Sequence, residues 1–256
     1  MQHLFSPEGH AALDALLRQR PLLAFDFDGT LAPIVARPED AHISLAVAKR
    51  LGSLGQRLPV AIVTGRAVDD VLGRLGFEPQ FIIGNHGAEN KQDGAAAAAL
   101  ARALDPLRLR LAARQADLAG AGVQVEDKAQ SIALHFRLSR RREDAVALIH
   151  ALLAPADPAL HVFSGKMVEN IVAAGAPDKA AAVHSLVARC AAGSAFFAGD
   201  DVNDEPVFAS APAHWLTVRI GREQAGSTAR FRLDSPVEVA LLLQRMLDGL
   251  DALGMP

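Results

Sequence analysis

Two aspartates one residue apart, Asp26 and Asp28, stand at the end of the apolar run Leu22 to Phe25 in the stretch PLLAFDFDGTLAP, Pro21 to Pro33. Like charges this close stay ionised together only when a cation sits between them, and otherwise one of them holds a proton. Either state suits catalysis. A metal-bound Asp26 can attack a phosphorus atom, and a partly protonated Asp28 can give a proton to a leaving oxygen and later take one from water. A second acidic run, Asp200-Asp201-Val202-Asn203-Asp204-Glu205, follows the apolar segment Ser194 to Ala198. Four carboxylates packed that densely also call for a cation, and Mg²⁺ prefers oxygen ligands of this kind.

The groups that could meet an anion lie between these two runs. The β-branched segment LPVAIVT, residues 58–64, ends in Thr64-Gly65-Arg66 just before a helical pattern begins at Val68. A hydroxyl at a strand end ahead of a helix N-terminus is well placed to bind a phosphate oxygen. Asn85 and His86 occupy a Gly-flanked loop after the short strand 80–84, where functional loops gather. Lys179 opens the helix Lys179 to Cys190. A lysine there opposes the helix macrodipole unless it has an anion to meet.

These positions imply a doubly wound α/β core, because carboxylates and hydroxyls at the C-terminal ends of buried parallel strands share one crevice. Helices are predicted over residues 8–19, over 44–58 with Ser44 as N-cap, over 68–75 and 179–190, and from Val237 to Leu247. Trp215 to Ile220 and Ala229 to Leu233 read as edge strands without chemistry of their own. Between the halves the grammar changes. A long helix is predicted over Ala95 to Leu118, then a strand in which Ile132, Leu134 and Phe136 alternate with Ala133, His135 and Arg137. That alternation predicts one buried and one available face. Glu126 and Lys128, two apart, share a face if their segment is extended. The helix Arg142 to Leu153 and the strand region Leu160 to Val172 complete the unit. Residues 1–105 and 173–256 are therefore expected to form the core, and 106–172 a smaller α/β cap inserted into it.

The chain has 256 residues, half of them hydrophobic, with 26 basic against 29 acidic side chains and a net charge of −3. Nothing in that balance favours nucleic acid. The longest apolar stretch, Ala95 to Leu104, is mostly alanine and is interrupted by Arg102, so no membrane span is expected. The single Cys190 allows no internal disulfide and fits a reducing compartment. The first ten residues show no secretory pattern, and the expectation is a soluble cytoplasmic protein. Oligomeric state leaves no signal in the sequence.

The run D-x-D-G-T at Asp26 to Thr30 resembles the signature of the haloacid dehalogenase-like phosphatases. The string Gly84-Asn85-His86-Gly87-Ala88-Glu89 resembles a loop of the trehalose-6-phosphate phosphatases and their near relatives. The resemblance implies a Rossmann-like core with an inserted cap, a requirement for Mg²⁺, Asp26 as a nucleophile forming an aspartyl-phosphate, and Asp28 as general acid and base. It assigns Thr64 and Lys179 to the phosphoryl group and places Arg66 near the substrate. Asp26, Asp28 through its backbone carbonyl, and Asp200 would bind the metal, with Asp204 close behind them and Asp201 orienting the loop. It also implies that Glu126 and Lys128 recognise sugar hydroxyls. The related G-K-x-x-x-E pattern falls on Lys166 and Asn170, with Glu169 one position early; a bulge would bring Glu169 to the sugar, and otherwise Asn170 takes the task. The implied substrate is a small-molecule sugar phosphate, trehalose 6-phosphate. Other capped sugar phosphatases, of the sucrose-phosphate or mannosyl-phosphoglycerate type, would share the core motifs, and a sugar-phosphate binding module without turnover is the reading from another class.

Overall fold

The computed structural model describes residues 1–35, 37–90, 94–154, 156–222 and 226–254. The chain divides into two compact units, Met1–Gly87 with Asp178–Pro256, and Ala88–Pro177.

The first unit carries strands β1 (Gln2–His3), β2 (Leu22–Phe25), β3 (Val60–Val63) and β4 (Phe81–Gly84) before the division, and β10 (Ala195–Gly199), β11 (Leu216–Ile220) and β12 (Phe231–Leu233) after it. They pair in parallel in the order β1-β12-β11-β10-β2-β3-β4. From β2 the chain builds one flank through β3 and β4 and later the other through β10, β11 and β12, so the direction of winding reverses beside β2. That is where ligands bind in open α/β sheets.

Each central strand is apolar on both faces, as a covered parallel strand must be. Leu23, Phe25, Val60, Ile62, Phe196 and Ala198 pack with α1 (Pro7–Leu17), α2 (Leu45–Gly55), α3 (Val68–Leu75) and α10 (Pro236–Ala252). Leu22, Ala24, Ala61, Val63, Ala195 and Phe197 pack on the other face with α8 (Lys179–Arg189) and α9 (Glu205–Ser210). Ser44 does cap α2, its hydroxyl accepting the Val47 N–H at 3.2 Å. Asp178 caps α8 by accepting the Ala181 N–H at 2.8 Å. The expected edge strands differ: β11 is buried throughout and pairs with both β10 and β12, and β12 is not an edge either, because the short β1 at the start of the chain pairs beyond it.

The second unit opens with β5 (Glu89–Asn90) and holds an antiparallel sheet of β6 (Gln124–Asp127), β7 (Ser131–His135), β8 (Leu160–Gly165) and β9 (Val168–Ala173), in the order β6-β7-β9-β8. The predicted long helix is three: α4 (Gly94–Ala103), α5 (Asp105–Ala113) and α6 (Gln115–Gly120). Pro106 lies in the first turn of α5, where its missing N–H is tolerated but would interrupt a continuous helix. Arg114, at φ −115° and ψ 17°, leaves the helical region before α6. Leu107, Leu111 and Leu118 from these helices and Ala145 and Ile149 from α7 (Arg142–Leu153) cover Ile132, Leu134 and Ile171 of the sheet. The unit begins at Ala88, ahead of the expected residue 106, since α4 packs on β9 and α5 within it.

Candidate active site

Register puts the two acidic runs side by side. Phe25 of β2 pairs with Ala198 of β10, and the Asp26 N–H donates to the Ala198 carbonyl at 2.9 Å. Asp26 therefore leaves its strand next to Gly199 and Asp200. Carboxylate oxygens of Asp26, Asp200 and Asp204 all lie within 4.8 Å of one another, and all three residues are buried. Gly29 is needed at this point for two reasons. Its φ is +79°, and a Cβ there would sit 2.3 Å from Asp200 Oδ2.

Lys179 Nζ lies 2.9 Å from Asp26 Oδ1 and 2.7 Å from Asp204 Oδ1, and the lysine is only 3% exposed. Two of its three protons are thus directed at carboxylates, and one is left for an anionic ligand. Burial works against the lysine's charge, yet the Asp204 and Asp26 carboxylates outweigh it and hold the ammonium above the ordinary lysine range. Asp26 is displaced well above the usual carboxylate range. Burial is the main cause; Lys179 opposes it, and the Asp204 and Asp200 charges reinforce it. Three buried carboxylates gathered at one point offer an all-oxygen donor set that fits a hard divalent cation such as Mg²⁺.

Asp204 has little of its carboxylate left for a metal. Oδ1 meets Lys179, and Oδ2 accepts the Asp201 N–H at 2.9 Å. The Asp201 side chain in turn accepts the Asp204 backbone N–H, closing a reciprocal cap on the short turn Val202–Asp204, and also accepts the Val202 N–H at 2.9 Å. Arg219 completes the loop's support. Its Nη2 donates to the Asp200 carbonyl at 2.8 Å and its Nη1 meets Glu205 Oε1 at 2.9 Å. The motifs do not reveal Arg219; a charged side chain in the apolar strand LTVRI is the signal that could have done so, since buried charges are nearly always partnered.

Asp28 does not join the carboxylate cluster. Arg66 takes both of its oxygens, Nε to Oδ2 at 2.7 Å and Nη2 to Oδ1 at 2.8 Å. Thr64, fully buried, accepts the Arg66 N–H at 3.1 Å. The loop Asn85–Gly87 is laced to the same segment: the His86 N–H donates to the Thr64 carbonyl and the Asn85 N–H to the Arg66 carbonyl, both at 2.9 Å. Gly65 is required there because a Cβ would fall 2.4 Å from the His86 ring.

In the second unit, Glu126 Oε2 lies 2.9 Å from His135 Nε2 and 3.4 Å from Lys128 Nζ. Glu126 pairs with Ala133, and Ala133 with Asn170, which pairs in turn with Phe163. These residues occupy one cross-strand row and share a face. Glu169 pairs with Leu134 and Ser164, so it takes the opposite face, where the Ser164 hydroxyl contacts its two oxygens at 2.8 and 2.9 Å. The pairing runs without a bulge from Ser131 to His135, so the structure groups Asn170, and not Glu169, with Glu126. Asn170 is 3% exposed and its Nδ2 has no hydrogen-bond partner among the described residues. Lys166 sits in the turn between β8 and β9. The face expected to be available is covered at its centre, since Ser131 and Ala133 are as buried as Ile132 and Leu134.

A protein named trehalose-phosphate phosphatase from Mycobacterium marinum is 32% identical over 260 residues, 94% of this chain and 65% of that protein. One of the same name from Mycobacterium tuberculosis H37Rv is 31% identical over 252 residues, 91% of this chain and 63% of that protein. This chain thus spans about two-thirds or less of the length of these relatives. Among solved structures, the C-terminal domain of the C. albicans trehalose-6-phosphate phosphatase superposes with a TM-score of 0.78 at 20% identity, covering 93% of this chain and 96% of that one. A trehalose-6-phosphate phosphatase related protein gives a TM-score of 0.73 at 24% identity, covering 90% and 99%. At such identities the structures establish the fold, a haloacid dehalogenase-like α/β core with an inserted second unit. The sequence pattern of the family described as Trehalose-phosphatase matches residues 24–236, from β2 through the start of α10, and on that match the chain belongs to the trehalose-phosphatase family.

Proposed function

We propose that the protein is a Mg²⁺-dependent phosphomonoesterase that hydrolyses trehalose 6-phosphate to trehalose and phosphate. The observation that carries the reading is Lys179 bridging Asp26 and Asp204 beside Asp200. It gathers a nucleophile, a cation site and an anion-binding ammonium at one strand edge. The names of the relatives supply the substrate.

Mg²⁺ would be held by the Asp26 and Asp200 carboxylates and the Asp28 backbone carbonyl, and when bound it neutralises charge on the phosphate. Asp26 attacks the phosphorus in line, forming an aspartyl-phosphate while the bond to the sugar oxygen breaks. Asp28, released from Arg66 and protonated from solvent, gives that oxygen its proton, then takes a proton from the water that attacks the aspartyl-phosphate, releasing phosphate and restoring both Asp26 and the protonated Asp28. Lys179, with its remaining proton, and the Thr64 hydroxyl stabilise the transferring oxygens. Glu126, Lys128 and Asn170 would bind the sugar hydroxyls, with Lys166 at the neighbouring turn; Asn85 and His86 would keep the loop carrying Thr64 and Arg66 in place.

The test is phosphate release from a panel of sugar phosphates with and without Mg²⁺. Trehalose 6-phosphate is expected to be the preferred substrate, with release abolished by chelation and by Asp26→Asn. A preference for another disaccharide phosphate would overturn the substrate assignment and leave the phosphatase; no release from any substrate would overturn both.

A further inference from the structure

Asp28 and Arg66 form one end of a longer chain of charges. The Arg66 guanidinium donates to both Asp28 oxygens, from Nη1 to Asp70 Oδ2 at 2.8 Å, and from Nη2 to the Pro38 carbonyl at 2.9 Å. Its plane lies over the Phe27 ring, 5.3 Å from the centroid. Asp70 is fixed from behind: its Oδ1 accepts from Arg74 Nε at 3.0 Å, and Arg74 Nη1 also donates to the Glu39 carbonyl. Four of the five guanidinium N–H groups of Arg66 are therefore engaged, and only two of those bonds go to Asp28.

That asymmetry matters because a carboxylate with both oxygens in a guanidinium fork cannot also reach a leaving oxygen. Resting on the reading of Asp28 as the acid and base of a phosphomonoesterase, we propose that Asp70, backed by Arg74, is a positioning residue that holds Arg66 as a fixed dock from which Asp28 can detach. When Asp28 turns to the substrate, Arg66 keeps a carboxylate partner in Asp70, the Pro38 carbonyl and the Phe27 ring, so its charge is not stranded and it does not follow. Without Asp70 the guanidinium has Asp28 as its only carboxylate among the described residues. It then holds Asp28 more tightly and has lost the anchor that keeps it in place. Thr64 meets Arg66 only through the backbone N–H, and Lys179 pairs with Asp26 and Asp204 rather than with this chain, so phosphate binding is expected to be retained.

The experiment compares the full-length wild-type protein with Asp70→Asn, Asp70→Glu and Asp69→Asn, all with Mg²⁺. Asp69 is the neighbouring acid in the first turn of α3 and controls for loss of negative charge at the helix start. Kinetics are measured on trehalose 6-phosphate, whose alkoxide needs the proton, and on p-nitrophenyl phosphate, whose phenolate leaves readily unaided. Asp70→Asn is expected to lower kcat on trehalose 6-phosphate by about 10-fold or more, within the range of acid-base contributions. The loss should be smaller on p-nitrophenyl phosphate, with KM within about twofold for both. Asp70→Glu should recover part of the loss, and Asp69→Asn should not show the substrate-dependent split. Wild-type kcat in Asp70→Asn, or equal losses on both substrates accompanied by a lower Tm, would overturn the positioning role while leaving the phosphatase reading intact. Absence of release from either substrate by the wild-type protein would overturn the phosphatase reading and the proposal with it.

Discussion

Glu126 and Asn170 lie in one cross-strand row of the four-stranded sheet with only Ala133 between them. Glu169, one residue away in sequence, faces the other side and is held by Ser164. Asn170→Ala should therefore raise KM for trehalose 6-phosphate and leave turnover of p-nitrophenyl phosphate unchanged. Ser164→Ala should lower stability by about 1.5–3 kcal/mol, the range for a hydrogen bond to a charged group, with KM unaffected. Steady-state kinetics and denaturant unfolding check the pair; the reverse pattern would return the sugar contact to Glu169.

Lys179 is the only cation contacting Asp26 and Asp204 among the described ion pairs. Lys179→Met leaves those buried carboxylates uncompensated, a loss of about 3–5 kcal/mol for one partner of a buried pair. Unfolding in urea should show that loss without added metal, and saturating Mg²⁺ should restore part of it by mass action. Turnover should not return, because the ammonium that meets the phosphate is gone.

Asp26 carries the opposite sign. An acid whose folded value is raised destabilises the folded state as pH climbs above the unfolded value of about 3.9. Without divalent cation, Asp26→Asn should therefore raise Tm at neutral pH relative to wild type, and the difference should shrink or reverse with Mg²⁺. Calorimetry with and without chelator measures it, and an equal Tm in both conditions would separate Asp26 from the cation.

Arg219 supports the Asp200 loop from a neighbouring strand. Arg219→Leu should weaken Mg²⁺ binding by about 10- to 100-fold, the usual cost of removing an outer partner of a metal ligand. Titration calorimetry of the folded variant reads this directly.

Glu126 is held below the ordinary glutamate range chiefly by the His135 hydrogen bond, with burial opposing and Lys128 assisting. Its contribution to stability is complete above the unfolded value of about 4.3 and is lost as pH falls through the lowered folded value. The glutamate side chain is half exposed, so the effect is small. The Tm difference between wild type and Glu126→Gln should be present at neutral pH and vanish in acid.

Much of the candidate site was legible because the residues proposed for it lie at strand ends. Apolar runs with a carboxylate or hydroxyl just beyond them gave Asp26, Thr64 and Asp200, and the unfavourable lysine at the start of α8 gave Lys179. Long-range register was not legible. Whether Glu169 or Asn170 shares the face of Glu126 depends on which residue pairs with Ala133, and local periodicity does not contain that. Arg219 escaped for the same reason, since its partner Asp200 belongs to another strand's loop; Asp70 lies only four residues from Arg66 and was within reach of local spacing, but nothing in the motifs pointed to it. The break at Pro106 was written in the sequence, but the alanine-rich flanks masked it.

The side-by-side exit of Asp26 and Asp200 is set by hydrogen-bonded pairing along β2 and β10, not by the loops that follow. Loop residues beyond the acidic turn can vary with little effect on the spacing of the two carboxylates, whereas the strands tolerate no change in length. Removing one residue between Leu22 and Phe25 would turn Asp26 to the opposite side of the sheet and separate the pair as completely as deleting it.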